Sequence, residues 1–218
     1  MNMIDAIIFD MDGVLVDSEP LHFEAYRELI GSFDGDYDEE FNSRFLGQKD
    51  IEIAPLVIEK FNLPHSPIEF VRAKDEIFYE QIRRHARPMP GVIQILKQAS
   101  ELDITVGLAS SSRMSTIDLI VDTLKIRTYF SDLTSGDHVS KGKPAPDIFL
   151  LSARRLGVEP RKCLVIEDTE HGVEAAKSAG MNCIAVPCQA TAHQKHKGAD
   201  SKLSSLEELD LTNYLQSS

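Results

Sequence analysis

Two aspartates one residue apart, Asp10 and Asp12, close the apolar run AIIFDMD at residues 6–12. Like charges at that spacing repel, and acids are rarely buried without a partner. Either the pair lies on a solvated turn, where Asp-Gly is common, or something cationic holds it. A carboxylate at a strand end can attack phosphorus and carry the group covalently, which splits one hard displacement into two easier ones. A second carboxylate nearby can protonate the leaving alcohol and then deprotonate the attacking water. Asp10 suits the first role and Asp12 the second.

Three further polar clusters follow apolar stretches. They are SSSR at 110–113, Lys143 in KGKPAPD, and Glu167 with Asp168. If the stretches are parallel strands, these ends converge on one crevice. Carboxylates gathered there suit Mg²⁺, which takes a few acids together with waters and a substrate phosphate. Ser110 and the amides of Ser111, Ser112 and Arg113 precede a helix and read as an anion site. Lys143 adds a positive point charge, with Lys141 as its competitor for that role. Phosphoryl transfer needs little beyond such positioning and charge neutralisation.

The elements that must position these residues are legible. AIIF (6–9), TVGLAS (105–110), CLVIE (163–167) and CIAVP (183–187) are continuous apolar runs, the pattern of strands buried on both faces of a parallel sheet. Helical segments at 91–103, 115–125, 146–157 and 172–180 separate them; in the first, Val92, Leu96 and Ala99 share a stripe, and the last ends on a glycine suited to a C-cap. The alternation predicts an α/β fold, a doubly wound parallel sheet with a Rossmann-like core. Residues 17–87 break it. They read as consecutive helices, with Leu21, Ala25, Leu29 and Phe33 on one stripe and Val71, Phe78 and Ile82 on another, and with Pro55 interrupting the third helix. The expectation is a helical cap domain, 17–87, inserted into a core formed by 1–16 and 88–218 and covering the carboxyl edge of its sheet.

DMDGVLVDSEP, ASSSR, GKPAPDIF and IEDTEHGVEAAKSAGM resemble the four ordered motifs of the haloacid dehalogenase-like hydrolase superfamily, closest to its β-phosphoglucomutase-like and sugar-phosphatase-like branch, over nearly the whole chain. The resemblance implies Asp10 as nucleophile, Asp12 as acid/base, Ser110 and Lys143 as the motif serine and lysine, and Mg²⁺ held by Asp10, the Asp12 carbonyl and Asp168, with Glu167 direct or water-mediated. Dehalogenases proper lack the second aspartate, so Asp12 points to phosphate esters. The expected activity is Mg²⁺-dependent hydrolysis of a small sugar phosphate through an aspartyl-phosphate. The alternative is a hexose phosphate mutase. His22 matches a histidine that the mutases carry, and Lys74 lies on an apolar stripe where it either snorkels or meets substrate. The mutases place an arginine three residues after the glycine that this chain has in FLGQKD; here Asp50 stands there with Lys49 beside it, which favours the phosphatase. A non-enzymatic phosphate sensor such as a receiver domain also pairs acids with a lysine, but is shorter and lacks a helical insertion.

A net charge of −12 opposes nucleic acid or anionic membrane as partner. No stretch reaches the length of a membrane span, and the N-terminus lacks the basic region of a signal peptide. Cys163, Cys183 and Cys188 form no CxxC pair and read as reduced, buried thiols. A cytoplasmic monomer acting on a small-molecule phosphate ester is expected.

Overall fold

A computed structural model describes residues 3–45, 48 and 50–214. Six parallel strands form one sheet in the order β3-β2-β1-β4-β5-β6: β1 Ala6–Phe9, β2 Thr105–Ser110, β3 Asp132–Ser135, β4 Cys163–Glu167, β5 Asn182–Ala185 and β6 Ser201–Lys202. The four apolar runs are β1, β2, β4 and β5. β3 and β6 are additions, because their polar residues carry no continuous apolar signal. Helices α5 (Val92–Glu101), α6 (Met114–Thr123), α7 (Asp147–Leu156) and α8 (Glu170–Ser178) connect the strands. α7 packs on β2 and β3, and α8 on β5. Phe149 of α7 and Val173 and Ala176 of α8 meet Ile8, Val165 and Cys183 of the sheet in one apolar cluster.

The central strand explains the site. β1 is flanked by β2 and β4, with Phe9 opposite Leu108 on one side and Ile166 on the other. The chain builds outward from β1 to β3, then restarts at β4 on the other side of β1, which makes the carboxyl ends of β1 and its two neighbours, β2 and β4, a switch point. Asp10, Ser110 and Glu167 stand at those three ends.

The chain divides into two compact units, Met1–Asp17 with Arg87–Ser218, and Ser18–Ala86. The second is all helix: α1 (Glu19–Gly31), α2 (Glu39–Ser43), α3 (Asp50–Phe61) and α4 (Pro67–His85). It has its own core of Tyr26, Ile30, Tyr37, Phe41, Val57 and Phe70. Three local expectations are corrected here. Phe33 leaves the α1 stripe and is 41% exposed, because α1 stops at Gly31. The second helix, read over DEEFNSRFL (38–46), is the short α2, which ends at Ser43. Pro55 lies within a continuous α3, whose Ile53, Ala54 and Val57 pack into the core and offset the lost hydrogen bond.

α4 is the best-defined helix of this unit. Ser66 accepts from the Glu69 amide while the Glu69 carboxylate accepts from the Ser66 amide, a complete capping box, with Pro67 at the first helical position. Ser66→Ala is therefore expected to lower the unfolding free energy by about 1 kcal/mol. Denaturant titration of the two proteins checks this, and unchanged midpoints would show that the cap contributes nothing.

Candidate active site

Asp10 follows β1 directly and is 7% exposed, its amide donating to the Ile166 carbonyl at 2.9 Å. Lys143 reaches it from the segment between β3 and α7. Its Nζ donates to Asp10 Oδ1 at 2.5 Å, to Glu167 Oε1 at 2.6 Å and to the Ala109 carbonyl at 3.3 Å, and lies 4.7 Å from the centre of the Phe149 ring. The lysine thus joins the ends of β1, β2 and β4. Lys141, the competing lysine, is exposed.

Both Glu167 oxygens have partners. Oε1 takes Lys143, and Oε2 accepts from the amides of Asp168 and Thr169 and from the Thr169 hydroxyl, at 2.8, 2.9 and 3.0 Å. Thr169 also caps α8, its hydroxyl accepting from the Gly172 amide. A Cβ at position 172 would lie 1.7 Å from Glu167 Oε1, so only glycine lets the first turn of α8 come this close. Thr169, inside the IEDTEHG motif but given no role on sequence, holds Glu167 in place; its one signal in the sequence is that a threonine before a helix is a cap by type.

Asp168 is different. Its Oδ2 accepts from Thr191 Oγ1 at 3.1 Å and from Cys188 Sγ at 3.4 Å, whereas Oδ1 is buried without a hydrogen-bond partner. One oxygen each of Asp10, Glu167 and Asp168 lies within 4.8 Å of the others. An orphaned carboxylate oxygen beside two more carboxylates is the donor set of a hard cation, so these residues fit a divalent metal.

Asp12 turns elsewhere. Its Oδ2 accepts from Ser112 Oγ at 3.0 Å and Ser110 Oγ at 3.4 Å, while Ser110 Oγ accepts from the Ser112 amide at 3.0 Å. The side chain of Asp12 is outside the carboxylate trio; the resemblance assigns only its backbone carbonyl to the metal. Ser111 and Arg113 are exposed beside it, at the start of α6.

Burial governs the charges. It pushes Asp10 well above the ordinary carboxylate value; Lys143 opposes the shift, and Glu167, Asp168 and Asp12 add to it. Burial and then the neighbouring Glu167 push Asp168 from 3.8 to about 7. For Lys143 burial works against the charge, but Asp10 and Glu167 outweigh it and hold the ammonium above its usual value.

The helical unit holds a second polar cluster. Lys74, with no exposed surface, donates to Asp50 Oδ2 at 2.6 Å and to His22 Nδ1 at 2.7 Å, with Asp75 Oδ1 at 3.7 Å. Its ammonium also lies over the rings of Tyr26 and Phe78. Lys74 does not snorkel: its head is inside, with partners. His22 stacks on Phe78 at 3.8 Å. Burial, then Lys74, lowers its pKa to about 3 against the opposing pull of Asp50, so the ring is neutral. Asp50, which burial would raise, is lowered by Lys74 and by the Tyr26 hydroxyl, which donates at 2.7 Å. Lys49 lies outside the described residues.

Among the described residues no helix is long and apolar enough to cross a membrane. The three cysteines are free and buried.

A pH signature follows from Asp168. Its folded-state value lies above its unfolded one, so the folded protein holds that proton more tightly and loses the stabilisation as pH rises through about 7. In chelator, Asp168→Asn is expected to raise the melting temperature more at about pH 8 than at about pH 5. A gain independent of pH would show that the carboxylate is not desolvated.

Residues 7–186 match the family model of the haloacid dehalogenase-like hydrolases. The chain is 38% identical over 185 residues to a phosphorylated carbohydrates phosphatase of Thermotoga maritima, covering 83% of this chain and 84% of that one. It is 35% identical over 180 residues to a fructose-1-phosphate phosphatase of Escherichia coli, covering 83% and 95%. A crystal structure of CbbY from Rhodobacter sphaeroides in complex with phosphate matches with a TM-score of 0.81 at 30% identity, covering 95% of this chain and 96% of that one.

Proposed function

We propose that this chain, which belongs to the haloacid dehalogenase-like hydrolases and is a phosphoric monoester hydrolase, uses Asp10 as its nucleophile, requires Mg²⁺ and acts on a small sugar monophosphate. The observation that carries the reading is the environment of Asp10. A lysine lies against one of its oxygens, and two more buried carboxylates, one with an orphaned oxygen, lie within 4.8 Å.

Asp10 and Asp168 would hold the cation, with the backbone carbonyl of Asp12 as a third donor; Glu167, its oxygens engaged, anchors Lys143 and the start of α8. A cation bound there would supply positive charge to the transferring phosphoryl group. Lys143 opposes the burial that raises the Asp10 pKa and adds positive charge of its own. The Asp10 carboxylate attacks phosphorus; the ester P–O bond breaks, and Asp12 gives its proton to the leaving alkoxide. Asp12 then takes a proton from a water that attacks the aspartyl-phosphate, and the Asp10–phosphorus bond breaks to release phosphate. Ser110, Ser111, Ser112 and Arg113 receive the phosphoryl oxygens. A phosphate at Ser110 displaces its longer, 3.4 Å contact with Asp12 and leaves Ser112, at 3.0 Å, to hold the acid/base.

Hydrolysis is preferred over a mutase for a specific reason. Gripping a second phosphate takes a free cation, and Lys74 is already neutralised by Asp50, with His22 uncharged and Asp75 close by. His22 and Lys74, if they meet the substrate, offer it hydroxyl recognition rather than charge.

Asp10→Asn is expected to abolish phosphate release while leaving the circular dichroism spectrum unchanged, because it removes nucleophile and metal-ligand charge together. Turnover within about tenfold of the wild type would sink the covalent mechanism. Across a sugar phosphate panel, monophosphates are expected to exceed the matching bisphosphates in kcat/KM by at least about tenfold, a difference of roughly 1.4 kcal/mol in transition-state binding. A preference for bisphosphates would show that a cation is free to hold the second phosphate.

A further inference from the structure

None of the four motifs includes the stretch that follows β5, yet its side chains close around Asp168. Cys188, Thr191 and His196 are each less than a tenth exposed. Thr191 Oγ1 accepts from the Cys188 amide at 3.1 Å, which commits a lone pair and turns the hydroxyl proton to its short acceptor, Asp168 Oδ2 at 3.1 Å. The Cys188 thiol donates to the same oxygen at 3.4 Å. The His196 ring meets the Asp168 main-chain carbonyl at 2.5 Å. Gly13 closes the remaining side: with φ +79 and no side chain, it leaves the space where a Cβ would stand 2.2 Å from Oδ2 and 3.1 Å from the Cys188 sulfur. Every contact falls on Oδ2 or on the backbone. Oδ1 has none.

We infer that the Thr191–Cys188 pair is a positioning device for the cation site, fixing the Asp168 carboxylate through Oδ2 with neutral donors so that Oδ1 is aimed and left free for a divalent metal. The inference rests on the reading of Asp168 as a metal ligand. Neutral donors suit this role, because a cationic partner would compete with the metal, whereas a hydroxyl and a thiol restrict rotation and leave the carboxylate its charge. Thr191 carries the greater part, since its own orientation is set by the Cys188 amide and its contact is the shorter. Both are positioning residues, not groups that meet the substrate.

The test titrates Mn²⁺ into the metal-free full-length protein and follows the free ion by electron paramagnetic resonance, with melting temperatures in chelator alongside. Thr191→Val removes the hydroxyl at nearly constant volume and is expected to weaken Mn²⁺ binding by about 10- to 100-fold, with Thr191→Ser restoring it. Cys188→Ala is expected to weaken binding in the same direction by less, and it serves should Thr191→Val fold poorly. In Mg²⁺-activation assays the half-saturating concentration should rise while kcat at saturation stays near the wild type. Asp168→Ala separates the two readings. Loss of Mn²⁺ binding in Asp168→Ala with wild-type binding in Thr191→Val and Cys188→Ala overturns the positioning role alone. Wild-type binding in Asp168→Ala overturns the metal assignment, and this inference with it.

Discussion

The Lys143 ammonium, shared between Asp10 and Glu167, is the contact on which the rest of the core site depends. The carboxyl ends of β1 and β4 carry three acids into an apolar interior, where like charges repel and desolvation disfavours each of them. One lysine, arriving from beyond β3, offsets two of the three. A buried ion pair of this kind gives little net stability, because the desolvation of both partners opposes the attraction. It opposes the protonation that burial favours at Asp10 and holds that carboxylate in place.

The two remaining acids are handled differently, and the difference sorts their roles. Glu167 is saturated by Lys143, two amides and a hydroxyl, so it acts as a structural anchor between strand end and helix start. Asp168 is satisfied on one oxygen only. Adjacent in sequence and nearly equally buried, they differ in the number of donors that the surrounding backbone presents. The same economy appears in the helical unit, where Lys74, Asp50, His22 and Tyr26 satisfy one another among aromatic rings. There the ion pair neutralises a buried ammonium within the helical unit itself.

How much is legible without the structure follows from the range of each interaction. Continuous apolar runs reveal β1, β2, β4 and β5, because strands buried on both faces must be apolar throughout. β3 and β6 escape notice because their residues are polar and their pairing is a property of the neighbouring strand. Asp10, Asp12, Ser110, Glu167 and Asp168 stand out because each follows or ends a recognisable strand within a motif of fixed wording; Lys143, which follows the unrecognised β3, is marked by the wording of GKPAPD alone.

The sequence by itself determined which residue types stand at the strand ends, since the alternation of strand and helix and the order of the motifs are local. Only the tertiary structure decided what each of them touches. Lys143 bonds to Asp10 across 133 positions, and Thr191 reaches Asp168 across 23, from a segment with no motif of its own. Lys74 was ambiguous on its helix because a stripe records which face is buried, not which partners await it; Asp50 and His22 come from other helices. Hydrogen bonds and ion pairs are short-ranged and directional, so the identity of a partner is set by the chain's path through space, to which local periodicity is blind.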